Sequence, residues 1–107
     1  MTAYIAPGIL APEEVIAQHW QTTVAEMTDR NRKRHNVEAR QVAMWYMVTR
    51  QDYTLAQAGH VMQRDHVTVL YARNQVNNLI LVDKVFRKKV ALAVEQIEKI
   101  TAKSNNE

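Results

Sequence analysis

Thr54-Leu55-Ala56-Gln57-Ala58-Gly59-His60-Val61-Met62-Gln63-Arg64-Asp65-His66-Val67-Thr68-Val69-Leu70-Tyr71-Ala72 is the stretch whose reading decides the fold. Thr54 is a good helix N-cap, and Gln57 three residues on completes a capping box, in which each side chain bonds the other residue's backbone N–H. A short helix over about 55–62 follows, with Leu55, Ala58, Val61 and Met62 as its buried candidates. Gly59 inside that helix costs about 1 kcal/mol relative to alanine, and a close helix crossing at this point would explain its presence. Gln63 and Arg64 make a tight corner. Asp65 can then cap a longer helix over about 65–79, along which Val69, Ala72, Val76 and Leu79 form one apolar stripe. Two helices joined by so short a turn form a candidate helix-turn-helix.

Working outward, Gln51, Asp52 and Tyr53 connect this unit to a helix over roughly 38–50, whose apolar face is Ala39, Val42, Ala43, Tyr46 and Met47. Trp45 falls on the flank of that face, where it is either the edge of the core or an exposed protein contact. Further upstream, Pro12 suits a first helical position, and Glu13 and Glu14 sit favourably at the positive end of the helix dipole. Ile16, Trp20, Val24 and Met27 then recur at helical spacing. Downstream, a last helix over about 82–102 turns Phe86, Val90, Ala93, Ile97 and Ile100 inward. The chain thus divides into a loose leader at 1–11, one helical domain at 12–103 and a frayed tail at 104–107.

The composition agrees. A chain of 107 residues fits one domain with a real core. Its apolar share is 47%, and it holds only two glycines and two prolines, too few for the turns of a strand-rich fold. The expectation is an all-α, compact bundle of about five helices. Cysteine is absent, which removes disulfides and thiolate metal sites. No stretch approaches a membrane span or a signal peptide, so the expected location is the cytoplasm.

The net charge of +3 is modest, so where the cations sit matters more than their sum. Arg30, Arg32, Lys33 and Arg34 lie in a polar stretch without apolar period, read as a basic loop. In a helix-turn-helix the first residues of the second helix enter the DNA major groove. Here these are Arg64, Asp65, His66, Val67 and Thr68. Asp65 can accept from a cytosine or adenine amino group, His66 and Thr68 can bond bases or phosphates, and Val67 can pack on a thymine methyl. A flexible arginine arm such as 30–34 can enter the adjoining minor groove. Tyr71, one turn beyond Val67, can reach a phosphate. The plainer alternatives are a cap at Asp65, a surface histidine at 66, a surface tyrosine at 71 and a solvated charge run at 30–34.

Three runs occur in one order: Arg40-Gln41-Val42-Ala43-Met44, Thr54-Leu55-Ala56-Gln57-Ala58-Gly59, and Arg64-Asp65-His66-Val67-Thr68-Val69-Leu70-Tyr71-Ala72. Over about residues 12–80 they resemble the C-terminal DNA-binding domain of the bacterial replication initiator DnaA. That family pattern reads approximately Arg-Gln-x-Ala-Met, Ser-Leu-x-x-Ile-Gly and Gly-Arg-Asp-His-Thr-Thr-Val-x-x-Ala. The resemblance implies a Trp-repressor-like helical domain, with Asp65, His66, Val67 and Thr68 at the base-contacting start of the recognition helix. It puts Arg32 at the minor-groove arginine, and Arg34, Arg40 and Gln41 near the DNA backbone or neighbouring bases; read from the residues alone, Thr54 and Tyr71 are further candidates for the DNA backbone. Val67 stands where the pattern has threonine, Gln63 where a Gly-Gly pair is usual, Met62 for phenylalanine, Ala58 for isoleucine, and Val48 for a basic residue.

No Gly-x-x-x-x-Gly-Lys-Ser/Thr loop is present, so no nucleotide is expected. His19, His35, His60 and His66 have no i,i+4 partner, and no nucleophile and base are paired, so neither a metal, a cofactor nor an enzyme is expected. The sequence points to double-stranded DNA as the partner. The competing reading is a protein-interaction adaptor that keeps the fold and binds a replication or regulatory protein through Trp45 or the last helix.

Overall fold

The computed structural model describes residues 10–30 and 32–105. Six helices follow one another: α1 (Pro12–His19), α2 (Val24–Thr28), α3 (Arg34–Arg50), α4 (Leu55–Met62), α5 (His66–Val82) and α6 (Lys84–Asn105). Among the described residues there is no strand. Residues 1–9 of the expected leader and residues 106–107 of the expected tail lie outside the described residues, and α6 continues to Asn105.

The apolar spacing through Ile16, Trp20, Val24 and Met27 belongs to two helices instead of one. α1 stops at Trp20, Gln21 takes a left-handed φ of 58°, and Thr23 restarts the chain as N-cap of α2 by accepting from the Glu26 backbone N–H. This break raises the expected five helices to six. The Thr23-Val24-Ala25-Glu26 sequence carries the cap signature that marks it.

α3 begins at Arg34, about one turn ahead of the start near position 38 that its apolar period suggests. Its first turn is recruited by packing. Asn36 is fully buried, receives the Thr22 hydroxyl and donates from Nδ2 to Glu26 Oε1 at 3.4 Å. A satisfied buried amide anchors that turn, whose one apolar residue, Val37, is only half-buried.

α3 is the central rod. It packs against α1, α2, α4 and α5, and the continuous run Val42-Ala43-Met44-Trp45-Tyr46-Met47 is buried all round, as a helix surrounded on every side requires. Trp45 is 5% exposed and its Nε1 donates to Asn77 Oδ1 on α5 at 2.8 Å. It belongs to the core, which removes it as a surface contact for an adaptor. At the other end of the core, Trp20 meets Phe86 of α6 edge-on at 6.3 Å and donates to Glu38 Oε1 at 3.2 Å.

Candidate nucleic-acid interface

The helix-turn-helix is α4, the corner at Gln63–Asp65, and α5. Thr54 caps α4 through the full capping box: Gln57 N–H donates to Thr54 Oγ1 at 3.0 Å and Thr54 N–H to Gln57 Oε1 at 2.8 Å. The corner closes on itself. Gln63 adopts the left-handed conformation, φ 57° and ψ 47°, and the Arg64 N–H donates back to the Gly59 carbonyl at 2.8 Å. A side chain at Gly59 would collide with the Arg64 carbonyl and lean on Val69 Cγ2 at 3.5 Å. The close approach at Gly59 is thus to the corner's own backbone, which cannot swing aside, and not to a crossing helix, since Val69 of α5 is at ordinary contact distance.

Asp65 caps α5, its Oδ1 accepting the Thr68 N–H at 2.8 Å. That backbone bond, then the Thr68 hydroxyl, holds the Asp65 carboxyl below its ordinary range. It is a carboxylate at neutral pH, and one cap bond leaves it further lone pairs for a second donor. The first turn of α5 then presents His66 and Val67 to solvent, with Thr68 half-buried behind them. Val67 and Tyr71, one turn apart, are each 60% exposed. A valine and a tyrosine so exposed on one face of a helix whose opposite stripe is sealed form an apolar edge flanked by polar groups.

The basic segment is shorter as a loop than its composition suggests. Lys33 is the N-cap of α3 and Arg34 its first residue, so only 30–32 connects α2 to α3. Arg30, Arg32, Lys33 and Arg34 are all exposed. Arg34 Nε bonds Glu38 Oε2 at 3.2 Å, a surface pair one turn apart worth a few tenths of a kcal/mol, roughly 0.3–0.5. Lys33, Arg34 and His35 crowd the positive end of the α3 dipole, and no acidic residue lies in that first turn. Cations there oppose the dipole, and an anion placed over them relieves the conflict.

Arg30, Arg32, Arg40 and Arg64 line one cleft of about 300 Å³ with Val37 as its apolar side. Arg40 is 7% exposed, and its Nε donates to the Met27 carbonyl at 2.7 Å. Burial, then the Arg64 guanidinium, lowers its pKa from the ordinary arginine value. Arg64 is half-buried and its guanidinium is bonded to backbone carbonyls. Gln41 lies on another groove, which it lines together with Arg32, Arg34 and Gln75, so Arg32 stands between the two. The meeting of Arg40 and Arg64 with the 30–32 connection has no local sequence signal, because the residues come from three separate parts of the chain.

The fold and this surface define a helix-turn-helix domain whose second helix exposes its first turn beside an arginine cleft. Residues 13–76 match the family model described as the bacterial dnaA protein helix-turn-helix. The chain belongs to that family. It is similar to the chromosomal replication initiator protein DnaA of Flavobacterium psychrophilum, 38% identical over 71% of this chain and 16% of that protein. The protein of the same name from Bacteroides fragilis is 35% identical over 85% of this chain and 18% of its own length. That from Synechocystis is 37% identical over 64% of this chain and 16% of its own length. The chain thus spans less than a fifth of these relatives.

Proposed function

We propose that this chain binds double-stranded DNA sequence-specifically, with the first turn of α5 in the major groove and the 30–34 segment in the adjoining minor groove. The observation that carries it is the adjacency of two surfaces: the exposed Asp65-His66-Val67 turn, and the cleft lined by Arg30, Arg32, Arg40 and Arg64. The first offers an acceptor, a donor or acceptor and a methyl surface for base edges. The second offers the exposed cations of Arg30 and Arg32 for the phosphates that flank them. Asp65 and Thr68 read from the helix cap, Val67 packs on a thymine methyl, and Arg34, Gln41, Thr54 and Tyr71 approach the backbone. The process served is control of replication initiation or of transcription, on the chromosome in the cytoplasm, through occupation of initiator-type sites. No chemistry is performed and no nucleotide or cofactor is used.

The test is fluorescence anisotropy of a labelled duplex carrying the family's box beside a scrambled duplex, each at two salt concentrations. A preference of tenfold or more, about 1.4 kcal/mol, is expected. Equal, salt-sensitive binding to both would leave only non-specific attraction to phosphates. No binding to either at low salt would sink the proposal and favour a protein partner.

A further inference from the structure

The Arg64 side chain is turned into the protein. Its Nη1 donates to the carbonyls of Thr28 at 3.2 Å, Met62 at 3.1 Å and Gln63 at 3.1 Å, and its Nη2 to the carbonyl of Asp29 at 2.8 Å. Two of these carbonyls close the C-terminal end of α2, and two close the end of α4 and its left-handed corner. Such carbonyls have no partner within their own helix and carry the negative end of its dipole. Arg40 closes the same α2 terminus from α3 through the Met27 carbonyl at 2.7 Å.

The position of Arg64 in the chain gives these bonds their meaning. Asp29 leads directly into Arg30, the root of the minor-groove segment. Arg64 itself leads directly into Asp65, the cap of the recognition helix. Its main chain is fixed as well, by the bond to the Gly59 carbonyl and by the close approach of its own carbonyl to Gly59. One guanidinium therefore ties the root of one DNA-facing segment to the start of the other. Reading a guanine through the Nη1–Nη2 end would need that two-pronged edge free, and both of these nitrogens are already engaged with carbonyls. A lysine ammonium is a point charge on a flexible stem and cannot span four carbonyls from two segments with the same geometry.

We infer that Arg64 is a positioning residue that sets the register between the Arg30–Arg32 segment and the recognition helix, and not a reader of bases. The inference rests on the DNA-binding reading above. Its consequence is that Arg64 governs discrimination in both grooves at once, through residues that touch DNA while it does not.

The test uses the full chain and a single-base-pair substitution scan of the box duplex. Penalties that vanish in Arg32→Ala mark the base pairs read by the arm, and those that vanish in His66→Ala mark the pairs read by the helix. Arg64→Lys, which keeps the charge, is expected to shrink both sets of penalties at least threefold. Its binding to a scrambled duplex and its salt slope should stay at the wild-type values. Loss of the penalty at one base pair alone would overturn the inference in favour of base reading. Intact penalties, with the salt slope reduced by about one phosphate in Arg64→Gln, would overturn it in favour of a phosphate contact. Thermal melts fix a temperature at which each variant is fully folded, so that a general loss of structure does not mimic a loss of register. A wild-type chain that prefers no duplex overturns the DNA-binding reading itself, and this shows before any variant is made.

Discussion

α3 and α5 are both 17 residues long and pack against each other, yet they use their surfaces in opposite ways. α3 buries an unbroken run from Val42 to Met47 and anchors even its polar first turn through Asn36. α5 buries Val69, Ala72 and Val76, and leaves His66, Val67, Leu70 and Tyr71 to solvent. Substitutions in the central part of α3 should therefore move stability first. Substitutions in the first turn of α5 should move DNA binding and leave stability nearly alone.

The largest expected effect tests the α3 side. Trp45→Ala removes a ring that is 5% exposed, bonded to Asn77 and crossed by the Arg50 guanidinium at 5.8 Å from its centre. It should lower the unfolding free energy by about 3–5 kcal/mol, read by denaturant melts. A loss under about 1 kcal/mol would mean that α3 is not the rod that holds the bundle. Next comes the joint between the regions. Gly59→Ala gains helix propensity of about 1 kcal/mol but drives a methyl against the Arg64 carbonyl. Overpacking against backbone typically costs about 1–3 kcal/mol, so the expected outcome is a lower melting temperature together with weaker duplex binding. A Gly59→Ala protein more stable than wild type would show that the corner is looser than its bonds indicate.

The α5 side is tested by His66→Ala and Arg32→Ala. Each should weaken binding to the preferred duplex by about 10- to 100-fold, the range of a good base contact. Neither should shift stability by more than about 0.5 kcal/mol, since both side chains are exposed. Destabilisation with unchanged binding would reverse the comparison. Asp65 adds a pH dependence with a definite sign. Its carboxyl is held low by the Thr68 backbone bond first and the Thr68 hydroxyl second. A carboxyl depressed in the folded state stabilises it above the unfolded value, about 3.9, and that contribution disappears as pH falls through the lower folded value. Melting temperature should thus fall in acid less steeply for Asp65→Asn than for wild type, with no difference in slope between about pH 5 and 8.

How much of this was legible in the sequence depends on how local each cause is. The capping box at Thr54 and Gln57, the cap at Asp65, and the stripe Val69, Ala72, Val76 all act within one helix turn or along one helix face, and each forms as its pattern predicts. The break at Gln21 was hidden because Ile16, Trp20, Val24 and Met27 keep a helical period across two helices that pack on the same core. The early start of α3 depends on Asn36 meeting Thr22 and Glu26, residues from another segment. The same holds for the surface assigned to DNA. His66 and Val67 stand out in the sequence because the exposed start of a helix is a local property. The bonds of Arg64 to Thr28 and Asp29 join parts of the chain that only folding brings together.

The smallest effect falls at the corner itself. Gln63 holds a left-handed conformation with a side chain, φ 57° and ψ 47°, at the place after a helix where glycine is commonest. The strain of that conformation is about 1 kcal/mol for a residue with a Cβ, and glycine's greater freedom in the unfolded chain offsets part of the relief. Gln63→Gly should therefore raise stability by about 0.5 kcal/mol, measured by urea melts at constant slope. Because Gln63 is exposed, the gain comes without lost packing. Its carbonyl still meets Arg64, so duplex preference should be unchanged if the register of α5 is set by the Arg64 bonds. Should Gln63→Gly instead blunt the preference while stabilising the fold, the stiffness of the left-handed residue itself, and not the bonds around it, would be what aims α5.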